Sequence, residues 1–149
     1  VSAVDPELGR SPGTLDGLTT GMAELEALYD ELFDVGVDPV TLELCRLRMA
    51  TLIGSAADMA MREPRAAAAG LTEETIEVLP AWPTSERFTD EQRVALGFAE
   101  QYVIDAHGFT DGDMAVMHEY FTDEQLASLT TACAVFDALA RVRAVLAIH

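Results

Sequence analysis

The sequence predicts an all-α protein, built as a single-domain helical bundle. Three observations carry that prediction. Apolar residues recur at spacings of three and four along most of the chain, Thr-Asp and Asp-Pro pairs supply repeated helix starts, and no stretch shows the strict alternation of a half-buried strand. Half of the 149 residues are hydrophobic, which is enough for one sizeable core.

Residues 1–19 contain Pro6, Pro12 and three glycines, so they are expected to form an N-terminal arm ahead of a domain over 20–149. A first helix is expected over Thr20 to Phe33, with Met22, Leu25, Leu28, Tyr29 and Leu32 on one face. Asp38-Pro39 is an N-cap followed by proline at the first helical position. The second helix, Pro39 to Ile53, is apolar around much of its circumference and should therefore be central. Gly54 ends it. A third helix is expected from Ser55 to Ala69, closed by Gly70, and a short one from Thr72 to Val78.

The remainder repeats one device: "FTDEQ" from Phe88, "FTDGD" from Phe109 and "FTDEQ" from Phe121. Thr89 with Gln92, Thr110 with Asp113, and Thr122 with Gln125 have capping-box spacing. The helices that follow do not otherwise match, so this is a reused cap rather than a duplicated domain. The last helix carries one stripe of Leu126, Leu129, Cys133, Phe136 and Ala140, and a second of Val135, Leu139, Val142 and Leu146. That breadth suggests burial against both the core and another subunit.

Charge excludes some functions. Acidic residues number 26 against 9 basic ones, for a formal net charge of −17, and every basic residue is arginine. Such a field repels phosphate backbones and anionic membranes, so neither nucleic acid nor membrane is an expected partner. Lysine Schiff-base chemistry is excluded outright. No apolar run is long enough to span a bilayer and the N-terminal stretch does not resemble a secretion signal, so a cytoplasmic location is expected. Cys45 and Cys133 form no C-x-x-C pair and lie among apolar residues, as inert core thiols would. The three histidines match no zinc spacing, and neither a metal nor a cofactor is expected.

The order of the segments "LELCRLRMATLIGSAADMAMREPRAAAAGLTEETIEVLPAW", "FTDEQRVALGFAEQY" and "FTDEQLASLTTACAVFDALARVRAVLAI" resembles the alkylhydroperoxidase D-like and carboxymuconolactone decarboxylase superfamily. The resemblance runs from about Val40 onward. It implies an all-α fold that assembles as a homo-oligomer, commonly a dimer, trimer or hexamer. Redox members carry C-x-x-C directly after the glycine and a histidine four residues past the second cysteine. A glutamate twelve residues before the first cysteine completes their proton relay. Carried onto this chain, Ser55 and Asp58 occupy the cysteine positions, Arg62 the histidine position, and Glu43 matches the glutamate. Serine and aspartate cannot exchange disulfides, so the resemblance implies a member that has lost the redox dithiol. Asp137 stands where an asparagine is common in the family, with Arg141 one turn on as its expected partner.

Two readings of the altered site remain open. In one, Ser55 and Asp58 cap a helix, Glu43 pairs with Arg46 and Arg62 pairs with Asp58, and the chain is a non-catalytic oligomeric protein. In the other, Glu43, Ser55, Asp58 and Arg62 converge on a pocket. A carboxylate there acts as general acid or base and arginine clamps a small organic acid, giving lyase- or decarboxylase-like chemistry without a thiol. Residual peroxidase activity through Cys45 or Cys133 is a third, weaker alternative.

Overall fold

The computed structural model describes residues 20–34 and 36–146. The predicted arm at 1–19 and the terminal His149 lie outside these described residues. Eight α-helices follow one another among them: α1 (Thr20–Leu32), α2 (Pro39–Ile53), α3 (Ala56–Ala60), α4 (Pro64–Ala68), α5 (Glu73–Glu77), α6 (Asp90–Ile104), α7 (Asp111–Tyr120) and α8 (Asp123–Leu146). Short 3-10 turns lie at Leu79–Ala81 and Ala106–Gly108. The described residues contain no strand, so the protein is all-α as its periodicity predicts.

Helix α2 is the centre of the bundle. It packs on α6 and α8 and also contacts α3 and α4. Nine of its residues are buried, which is why its sequence is apolar on nearly every side. Asp38 caps it by accepting the Thr41 N–H, and Pro39 opens it. At its end Gly54 adopts φ +86°, the left-handed conformation that glycine takes without penalty. All three Thr-led caps form. Each threonine hydroxyl accepts the backbone N–H three residues on, and the side chain of Gln92, Asp113 or Gln125 reaches back to the threonine N–H.

The expected single helix from Ser55 to Ala69 is two. Helix α3 stops at Ala60, the chain runs extended at Met61 (ψ 147°) and Glu63 (ψ 117°), and α4 restarts at Pro64. Proline disfavours helical backbone at the residue before it and supplies no N–H of its own. The carbonyls freed at this break are not wasted on solvent. Arg46 donates Nη1 to the Asp58 oxygen and Nη2 to the Met61 oxygen, both at 2.8 Å.

Candidate functional site

Helix α2 brings Glu43 and Arg46, one turn apart, onto its buried face toward α3. The pair is bidentate, with Arg46 Nε donating to Glu43 Oε2 at 2.6 Å and Nη2 to Oε1 at 2.7 Å. Burial opposes the Arg46 charge, but its bonds to Glu43 and the Glu43 charge prevail, and its pKa lies above the ordinary arginine value. Glu43 Oε1 also accepts the Glu63 backbone N–H at 3.1 Å. This carboxylate is 1% exposed, and both its oxygens accept hydrogen bonds.

Beside it, Ser55 caps α3. Its Oγ accepts the Asp58 N–H at 3.4 Å and donates to Asp58 Oδ2 at 2.5 Å. The other Asp58 oxygen accepts Arg143 Nη1 from α8 at 2.7 Å. Arg143 Nη2 also lies 4.0 Å from Glu26 on α1. Ser55, Asp58 and Arg143 are 1%, 4% and 4% exposed, and so closed to solvent within one chain. The two acids and two arginines at the centre balance in charge, as buried ionic groups must.

A further layer joins this cluster to α1 and α4. Tyr29 donates its hydroxyl to Glu63 Oε2 at 3.1 Å, and Glu63 Oε1 accepts Arg65 Nε at 2.7 Å. Burial raises the Tyr29 pKa above the tyrosine range; Arg46 opposes the rise, and the Glu43 and Glu63 charges add to it. Burial works against the Glu63 charge, yet its bonds from Arg65 and Tyr29 hold its pKa below the usual glutamate value.

Of the residues singled out in the sequence, Glu43, Ser55 and Asp58 come together and Arg62 does not. Its guanidinium is turned to the surface, where Nε donates to Glu73 Oε1 at 2.8 Å and Nη1 to the Met59 oxygen at 2.7 Å. The expected Arg62–Asp58 pair presumes an unbroken helix, and α3 ends between them. Arg143 takes that place, from an element 85 residues away. Its signal was present in the stripe Leu129, Cys133, Phe136, Ala140, whose next position at the same spacing is 143. The Arg141–Asp137 pair forms at 2.9 Å. Both cysteines are buried.

The family model for the carboxymuconolactone decarboxylase family matches residues 21–101. No curated protein matches the sequence. Among solved structures, a protein of unknown function from Agrobacterium tumefaciens, described as a putative antioxidant defence protein AhpD, superposes with a TM-score of 0.75 at 22% identity. The similarity spans 84% of this chain and 86% of that one. The debrominase Bmp8, in a cysteine-to-alanine variant bound to 2,3,4-tribromopyrrole, gives a TM-score of 0.75 at 16% identity, over 95% of this chain and 78% of its own. At these identities the likeness is one of fold.

Proposed function

Because the chain belongs to the carboxymuconolactone decarboxylase family, we propose that it is a member that has lost the redox dithiol and whose former reaction centre now holds the fold together. The observation that supports this most is that the carboxylates of the cluster are bonded within the protein and closed to solvent. Both Glu43 oxygens and both Asp58 oxygens are bonded within the protein, to Arg46, the Glu63 N–H, Ser55 and Arg143. A general base needs a free lone pair within reach of a substrate proton, and a peroxidase needs an accessible thiolate. The only thiols are Cys45 and Cys133, both 0% exposed. In this reading Ser55 and Asp58 form a helix cap and ion pair, and the domain over 20–149 acts as a non-catalytic homo-oligomer in the cytoplasm. Val145 and Leu146, exposed by 82% and 55% at the end of α8, support self-association. The net charge of −17 disfavours nucleic acid. Among the described residues no helix is long and apolar enough to cross a membrane.

The test is peroxide consumption with a dithiol reductant, comparing the protein with its Cys45→Ala/Cys133→Ala variant. The reading requires both to match the protein-free rate, and thiol-dependent turnover by the unsubstituted chain overturns it.

A second reading, proton transfer on a small organic acid, is favoured by one observation. The Nε of Arg143 is buried beside Asp58 and donates to no atom among the described residues. A buried arginine N–H left over in this way is a ready partner for a carboxylate. Glu43, Ser55 and Asp58 would then be the reacting groups. Solvent deuterium incorporation into a panel of small carboxylic acids, abolished by Asp58→Asn in a folded protein, would establish this reading. No incorporation would remove it.

A further inference from the structure

We propose that a second site, on the outer side of α2, binds a small monocarboxylic acid through Arg48. A cavity of about 160 Å³ lies there, floored by Leu47, Met59, Ile76 and Leu79 and bordered by Arg48. It is separate from the buried cluster, and the proposal does not depend on how that cluster is read.

Arg48 is held for such a task. Its Nε donates to Glu100 Oε1 at 2.5 Å, and the same oxygen accepts the Trp82 indole N–H at 2.8 Å. The guanidinium is thereby fixed in orientation by a carboxylate that is itself fixed. Its two terminal nitrogens donate to no atom among the described residues, and neither is shut away from solvent. A planar fork with two unengaged terminal nitrogens beside an apolar hollow matches a carboxylate head on a short hydrocarbon tail.

Size and charge narrow the class. The cavity is smaller than the ~300–1,000 Å³ of drug-sized sites, which restricts the tail to a few carbons. Glu77 also borders it, so a second negative charge on the ligand would be repelled and a dicarboxylate disfavoured. The net charge of −17 lowers the local concentration of any anion, so the expected dissociation constant is about millimolar.

The test titrates the full chain with butyrate, using 1-butanol and succinate as comparators, and follows the backbone amides by NMR. Butyrate should shift the amides of residues 48, 59 and 76–79, with both comparators weaker by about tenfold or more. Arg48→Gln should weaken butyrate by about tenfold or more. Thr51→Trp, a change at an exposed position on the cavity wall, should block it while leaving the remaining spectrum in place. The proposal is overturned if butyrate fails to bind, if butanol binds equally well, or if folded Arg48→Gln retains the affinity. Should that variant not fold, undiminished binding by Thr51→Trp overturns it instead.

Discussion

Arg143 on α8 donates Nη1 to the Asp58 carboxylate on α3 at 2.7 Å, joining positions 85 residues apart in the chain. Both side chains are 5% exposed. The contact ties the closing helix to the corner where α2 ends. Burial of such a pair is costly in itself, and Ser55 on the other Asp58 oxygen helps to offset that cost.

The cysteines should be chemically silent. Burial pushes the Cys133 thiol up to about 12, with the Asp137 charge adding to it, and burial also raises Cys45 well above the ordinary thiol value, with Cys133 adding to it. At pH 8 both thiols are therefore held protonated and unreactive. A colorimetric disulfide reagent should modify neither thiol in the native protein and both after denaturation. Rapid modification of the folded chain would contradict this.

Gly54→Ala should destabilise by about 1–2 kcal/mol, because any side chain at φ +86° meets the left-handed penalty. Apart from its two chain neighbours, no atom of the described residues lies within 4 Å of the added Cβ, so the cost is conformational rather than steric. Asparagine, which tolerates this region better, should cost less. Urea midpoints of the two variants give the comparison.

Acid stability should carry a contribution from Glu63. Its folded pKa lies below the ordinary value, so its stabilising effect is complete above about pH 4.3 and is lost as pH falls through the lower folded value. Glu63→Gln should flatten the acid limb of the stability curve below about pH 4 and leave its slope near neutrality unchanged. Denaturant unfolding at a series of pH values reads this out.

Tyr29 should behave in the opposite sense. Its folded pKa is raised, so its contribution is complete below about pH 10 and lost as pH rises beyond that. In an alkaline absorbance titration, Tyr29 should resist ionisation until the protein unfolds, later than Tyr102, whose pKa burial also raises. Tyr29→Phe should remove that late step.

Much of the fold was legible in the sequence because its helices start on strong local signals. Asp38-Pro39 and the three Thr-led boxes act within three residues, where sequence spacing and spatial distance coincide. The break between α3 and α4 was missed because an apolar, alanine-rich run outweighed Pro64 in a periodicity reading. That error propagated to Arg62. Counting four residues on from Asp58 places it one turn away only in a continuous helix, and α3 ends at Ala60. Arg143 was harder still. A basic residue at the end of an apolar stripe reads as a surface group until its distant partner is known, and Asp58 becomes that partner only when α8 docks on α3.

The central claim, that the altered site holds the fold, is tested most directly by a double-mutant cycle on Asp58 and Arg143, read as unfolding free energies. Asp58→Asn and Arg143→Met should each cost about 3–5 kcal/mol, since each leaves its partner's charge buried and unpaired. The double variant should cost less than their sum by about 2 kcal/mol or more. Cheap single substitutions with no coupling would contradict the account.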